Sequence, residues 1–191
     1  MQTALREIAT LNTLIDNLND SSSDEERVKI IKNTSMNLTE LSGYHHVGKT
    51  SYGRNLVFSN DDFEVILMCW EAGHKSVPHD HNNSLCVMKC LSGELQEQRY
   101  VKKKKITQAI THMNNSQEII VPTSLSTLEL NQATSIKDSE GLHSLMNNSQ
   151  DSACTLHFYF PPIHQSNIYD IEGSEPKAVT SKFTSEYGVK M

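Results

Sequence analysis

The stretch from Glu71 to Gly93, EAGHKSVPHDHNNSLCVMKCLSG, sets His79 and His81 two residues apart and puts Cys86 five residues further on. On a strand, residues i and i+2 project from one face, so the two imidazoles can converge on a single point. Neutral imidazoles are good ligands for divalent first-row metals, and this spacing is not that of a zinc finger. A histidine is also an ordinary surface or core residue, and the pair alone leaves both readings open. From His81 to Cys86 is an odd step, which on an unbroken strand would put the thiol on the opposite face. The turn signal Asn82-Asn83 is expected to interrupt the strand and to return Cys86 to the inward side.

Something must hold these groups in place, and the rest of the chain supplies candidates. Its 191 residues are 37% hydrophobic and 6% aromatic, which suits a globular protein with a real core. The formal net charge of -6 gives no electrostatic reason to expect nucleic acid. Arg6, Glu7 and Asp16 interrupt the N-terminal apolar pattern, so neither a leader peptide nor a membrane span is expected there, and a cytoplasmic location follows. Cys69, Cys86, Cys90 and Cys154 show no short paired spacing and should be free thiols in a reducing compartment.

Leu5, Ile8, Leu11, Ile15 and Leu18 recur at helical spacing, and a second short helix should begin at Ser23, which forms a capping-box spacing with Glu26 ahead of Val28, Ile30 and Ile31. The helical pattern fades from about Asn33. Beyond it come strand-like runs, FEVILMCW, LCVMKCL, ELQEQRYV, QEIIVP, STLEL, LHSLMN, TLHFYF and KAVTSKF, divided by turn signals such as Ser92-Gly93, Asn114-Asn115 and Asn147-Asn148. So many short strands without helical interruption imply a mainly β sandwich or small barrel. The basic run Lys102 to Lys105 reads as a solvated strand end. Met68 and Trp70 read as core, and His45, His46, His74, His112 and His164 carry no assigned role.

The spacing of Gly73, His79, His81, Cys86 and Gly93 resembles the first motif of the cupin barrel, with cysteine where many cupins place a glutamate ligand. His143 and Asn147 partly resemble the second cupin motif. With YGRNLVF, HDHNNSLC, GLH, LHFYFPP and the tail KAVTSKFTSEYGVK in this order, the chain resembles the cysteine dioxygenase family over nearly its whole length. The resemblance implies a cupin-type small β-barrel (jelly-roll) forming a single domain over 1–191, with a helical N-terminal extension over 1–45 packed on the barrel.

It also implies an activity: a mononuclear Fe(2+) centre adds both atoms of O2 to the thiol of L-cysteine, giving 3-sulfinoalanine on the route toward taurine and sulfate. By the resemblance, His79, His81 and His143 are the iron ligands, Arg54 holds the substrate carboxylate, and Tyr52 lies near the same pocket. Tyr159 matches the active-site tyrosine, His157 its hydrogen-bonding partner, and Cys86 the cysteine joined to that tyrosine by a thioether. Thr155 and Phe160 stand where the family would place serines. A guanidinium pairs with an α-carboxylate in a two-point geometry that lysine lacks. The implied partners are L-cysteine and O2, without nucleic acid or membrane, and a monomer is expected. The alternatives are a thiol dioxygenase acting on 3-mercaptopropionate or cysteamine, which Arg54 and Cys86 together disfavour, and a cupin that binds metal without turnover.

Overall fold

The structure, a computed structural model, describes residues 10–106, 116–171, 173 and 175–191. Leu5, Ile8, His112 and the Asn114-Asn115 turn lie outside the described residues. Helix α1 (Leu11–Asn19) starts at Thr10, whose Oγ1 accepts the Thr13 N–H at 3.2 Å, and it buries Leu14, Ile15 and Leu18. Helix α2 (Asp24–Asn33) starts at Ser23, whose Oγ accepts the Glu26 N–H at 3.2 Å. The Glu26 carboxylate, however, reaches back to the N–H of Ser22 at 2.9 Å, one residue earlier than a capping box requires. Only Ile31 of the expected apolar trio is fully buried, with Val28 and Ile30 packed at the margin.

Where the helical pattern fades, the chain makes a 3-10 turn over Leu38–Tyr44, opened by Asn37 Oδ1 accepting the Thr39 N–H and anchored by the fully buried Leu41. Among the described residues twelve strands follow: β1 (Gly53–Ser59), β2 (Glu64–Trp70), β3 (Leu85–Ser92), β4 (Leu95–Ile106), β5 (Ser116–Leu128), β6 (Ala133–Ile136), β7 (Leu142–Met146), β8 (Ala153–Phe160), β9 (Gln165–Ile168), β10 (Lys177–Thr180), β11 (Ser185–Glu186) and β12 (Val189–Lys190). The first sheet has the order β12-β11-β1-β2-β8-β3-β6. Facing it, β5-β4-β7 continues through the extended segment around Lys75 and His79, which bridges β7 at Met146 and His143 and then β9 at Ile168, with β10 at the far edge. This is the mainly β, cupin-type barrel that the resemblance implies.

The central strands β2 and β8 of the first sheet are buried along their whole length, which is why their sequences are mostly apolar on both faces. Val65, Leu67, Cys69, Cys154, Leu156 and Phe158 face α1, α2 and the 3-10 turn. Their neighbours Ile66, Met68, Trp70, Ala153 and Tyr159 face the barrel interior. One helix contact comes from a buried cation: Lys89 Nζ donates to the carbonyls of Ile31 (3.1 Å), Lys32 (3.3 Å) and Asn131 (3.1 Å). It thereby satisfies the last carbonyls of α2, where the helix dipole favours positive charge, and docks that helix on β3.

Two expectations about strands need correction. QEIIVP and STLEL are halves of one strand, β5, whose register against β4 shifts between Gln98 and Tyr100, opposite Pro122 and Leu125. Proline interrupts the ladder there without ending the strand, as at a bulge. YGRN, read only as a motif, opens β1 and so lies within the first sheet. Lys102 to Lys104 are exposed on β4 as expected, although Lys102 also donates to Tyr169 Oη at 2.7 Å.

Candidate active site and metal centre

Strand β7 brings His143 to the extended segment carrying His79, and the two backbones exchange hydrogen bonds: His79 N–H to His143 O at 3.0 Å and His143 N–H to His79 O at 3.3 Å. Two residues on, Asn82 and Asn83 adopt left-handed backbone angles (φ 49° and 68°), a conformation asparagine tolerates better than most residues. The Asp138 carboxylate fastens this turn by accepting the N–H of His81 at 2.7 Å and of Asn83 at 2.6 Å. The expected break is therefore present, and β3 begins in a new register with Cys86 facing the barrel interior.

The result is a triangle of imidazoles. One ligand atom from each of His79, His81 and His143 lies within 4.8 Å of the others. His79 Nδ1 lies 2.8 Å from Val77 O, and His143 Nδ1 lies 2.9 Å from Glu97 Oε1. A carbonyl or carboxylate oxygen only accepts, so both Nδ1 atoms carry the proton and both Nε2 atoms present a lone pair. His143 Nε2 then sits 3.0 Å from His81 Nε2, while His81 Nδ1 is 3.6 Å from Asp138 Oδ1, beyond hydrogen-bond length. Burial and the neighbouring imidazoles hold His79 down to about 3 and His143 well below its ordinary range. The lone pairs of His79 and His143, gathered with a nitrogen of His81, make a donor set that fits a divalent transition metal.

Beside the triangle, β8 alternates Thr155, His157 and Tyr159 onto the interior face. Trp70 Nε1 donates to Thr155 Oγ1 at 2.9 Å, Thr155 Oγ1 lies 2.9 Å from His157 Nε2, and His157 Nδ1 lies 3.3 Å from Tyr159 Oη. With the Trp70 N–H on one lone pair, the Thr155 O–H is free to donate to His157 Nε2. That leaves the His157 Nδ1 proton aimed at the tyrosine oxygen. Threonine at 155 retains the hydroxyl that serine would bring. Phe160 points the other way, onto Phe63 and Arg27, and touches none of these groups.

Tyr159 also interacts electrostatically with Cys86 and Arg54. Cys86 is its direct register partner across β3 and β8, and burial pushes the Cys86 thiol and the Tyr159 phenol upward, so both are protonated near neutral pH. Arg54 enters from β1 with its backbone pinned by the Thr184 hydroxyl (3.1 Å) and the Thr184 N–H (2.6 Å). Burial opposes its charge, but Tyr159, Tyr52 and Glu64 more than offset this. Its Nε is buried without a hydrogen-bond partner, an orphaned donor next to the histidines. Tyr52 stacks on Trp70 at 4.2 Å. Tyr52, Arg54, His79, His81 and Tyr159 share one cavity of about 190 Å³, closed on another side by Val179 to Lys182. That volume is well below the several hundred Å³ typical of drug-sized ligands and suits a molecule of a few heavy atoms.

The structure thus brings together every candidate residue from the sequence. It adds Glu97, Asp138 and Trp70, which no motif marked, and gives Thr155, singled out only as a departure from the family, a place in the network. Glu97 is buried, and desolvation raises its carboxyl, opposed by Arg99 at 3.3 Å and by the Thr134 hydroxyl at 3.3 Å. Because it fixes the tautomer and orientation of His143, Glu97→Gln is expected to weaken metal binding by roughly 10- to 100-fold. Chelator competition on the purified variant measures this, and an unchanged affinity would remove Glu97 from the centre.

A second expectation concerns pH. His157 is neutral in the fold and held well below its ordinary range, first by burial and then by the Arg54 charge. Between its folded value and the unfolded value near 6.5, the unfolded chain binds the extra proton, so stability falls as pH drops through that window. Glu64 and Glu97, both raised by burial, act in the opposite direction. The histidine contribution is isolated by comparing urea unfolding of the wild type and His157→Gln at several pH values below 6.5. The variant should show a shallower dependence by up to about 1.4 kcal/mol per pH unit, and parallel curves would contradict the neutral imidazole.

Comparison with known proteins agrees with this geometry. The sequence profile described as cysteine dioxygenase type I matches residues 2–172. Cysteine dioxygenase type 1 of Homo sapiens is 35% identical over 154 residues, covering 80% of this chain and 72% of the human protein. The Rattus norvegicus protein of that name is 33% identical over 168 residues, 87% of this chain and 79% of its own. That of Danio rerio is 31% identical across 98% of this chain and 92% of its own. The chain belongs to the cysteine dioxygenase type I family.

Proposed function

We propose that this protein is a cysteine dioxygenase that uses Fe(2+), held by His79, His81 and His143, to convert L-cysteine and O2 to 3-sulfinoalanine. The observation that carries the substrate reading is the unpartnered Nε of buried Arg54 in the same small cavity as the imidazole triangle. The iron would supply the redox chemistry that lets O2 react with a thiol. The protein's own residues do the positioning. Arg54 pairs its guanidinium with the α-carboxylate, and Tyr52, braced by Trp70, walls that end of the cavity. Holding the amino acid by its carboxylate next to the histidines turns an encounter into an oriented reaction, an effect that reaches roughly 7–11 kcal/mol in well-aligned systems.

Tyr159 keeps its proton and lines the cavity, with His157 Nδ1 at 3.3 Å from its oxygen and the Arg54 charge nearby. It acts as a proton-bearing donor for the oxygen being transferred. We propose further that Cys86 and Tyr159 become joined by a thioether. The Cys86 S–H and the ring C–H ortho to the hydroxyl lose two protons and two electrons to O2, which becomes hydrogen peroxide, and a C–S bond forms. The chain would work as a monomeric single domain in the cytoplasm; no helix among the described residues is long and apolar enough to cross a membrane.

Oxygen uptake by the iron-loaded protein with L-cysteine, cysteamine and 3-mercaptopropionate, with detection of the sulfinate, tests the activity. Preferred turnover of L-cysteine supports the reading, and no turnover of any thiol would sink it. Intact mass tests the thioether: the cross-linked fraction is lighter by two hydrogens, and Cys86→Ala must abolish that deficit.

A further inference from the structure

The outward face of the same strands carries a second cluster that the thiol chemistry does not use. Cys69 and Cys154 are directly opposed across β2 and β8 and point away from the barrel interior, into the layer under the helices. His45, the residue that ends the 3-10 turn, lies above them and is exposed. One ring nitrogen of His45 and both sulfurs fall within 4.8 Å of one another.

The surroundings of the sulfurs point the same way. Asn55 Nδ2 lies 3.6 Å from Cys69 Sγ. The Cys69 thiol, Ser92 and the His45 ring favour the Cys154 thiolate, while Cys154 and burial hold the proton on Cys69. A buried thiol in an apolar core has no need of such donors, whereas a thiolate does, because donors aimed at an anion stabilise it.

We propose that Cys69, Cys154 and His45 form a second cation site, for a thiophilic closed-shell ion of the Zn(2+) class. Both thiols release their protons to solvent as the ion binds, so two thiolates balance its charge. His45, on the exposed side, leaves room for water as a fourth ligand. The site differs in kind from the imidazole triangle: sulfur donors select softer cations than three nitrogens do, so both sites can be filled together.

Its mechanical effect would be a clamp. Asn55 Nδ2 donates to the His46 carbonyl at 2.9 Å, and a Cβ at Gly53 would run into that same carbonyl, so His45 and His46 lie tightly on the start of β1. Fixing His45 to β2 and β8 therefore ties the 3-10 turn to the strand that carries Arg54.

The test is a zinc titration of iron-loaded, full-length protein kept reduced with a phosphine, using a chromophoric chelator and native mass spectrometry. One zinc per chain should bind in addition to the iron, with a rise in unfolding temperature. The exposed position makes His45→Gln safe for folding; it should weaken zinc by at least about tenfold, and Cys154→Ser by about a hundredfold, with iron content unchanged. Zinc that only displaces iron, or that binds wild type and both variants equally, overturns the proposal. So does absence of zinc binding combined with a Cys69–Cys154 disulfide formed by hydrogen peroxide, two thiols and one peroxide giving the disulfide and two waters, because the pair would then be a redox couple that needs no His45.

Discussion

Alanine at position 143 is expected to leave a folded protein that binds metal at least about 100-fold more weakly and has lost oxygen uptake with L-cysteine. The backbone of residue 143, not its ring, exchanges the two hydrogen bonds with His79, so the extended segment stays paired to β7 in the variant. What disappears is one of three gathered ring nitrogens, and a tight site built from few ligands owes roughly 3 kcal/mol or more to each. Deleting the ring also strips Glu97 of a partner while Arg99 and Thr134 remain, which limits the structural damage. The comparison with His157→Gln is the discriminating control, since that imidazole faces Tyr159 and Thr155 rather than the triangle. Metal analysis after gel filtration should find full loading in His157→Gln and near-absence in His143→Ala. Equal loading of the two would show that position 143 is not a ligand.

The convergence of His79 and His81 is legible in the sequence because it depends on local rules, whereas His143 is reached only through the family resemblance. A two-residue step on extended chain fixes His79 relative to His81, and the left-handed asparagines at 82 and 83 reset the phase before Cys86. The residues that tune them are set by strand register across long stretches of chain. Glu97 reaches His143 diagonally across β4 and β7, because Arg99 is opposite His143 and Glu97, two residues away on the same face, is opposite Leu145. Asp138 reaches the 81–83 turn from a loop more than fifty residues on, and Thr155 meets Trp70 across β2 and β8. Pairing of that kind follows from cooperative packing of the whole barrel, which no short window of residues encodes. The same reason hid the cluster of His45, Cys69 and Cys154, whose members look like an unassigned histidine and two ordinary core thiols until β2 and β8 are set side by side. The strand at Gly53–Ser59 escaped for a local reason: its opening, Gly-Arg-Asn, has weak strand propensity, and burial between β2 and β11 overrides it.

Arg54→Lys should lower kcat/KM for L-cysteine by roughly 100-fold, about 2.7 kcal/mol, even though the positive charge is retained. The guanidinium is buried, it is held through its backbone by Thr184, and it keeps one N–H without a partner beside the histidines. A carboxylate arriving there gains a two-point, charge-assisted pair, whereas an ammonium offers a single point that must also be desolvated. Lysine also gives up the guanidinium contact with Tyr159, so part of the loss should appear in kcat as well as in KM. The reading makes a sharper demand on substrate choice. Cysteamine is cysteine without the carboxylate, so in Arg54→Lys and in Arg54→Ala any turnover of it should lose only the smaller part that passes through Tyr159, while L-cysteine loses its advantage over it. A variant that loses both substrates in equal proportion would mean that Arg54 supports the barrel and not the carboxylate. Convergence of the two rates, with iron content held constant, would place the origin of cysteine selectivity in this one buried side chain.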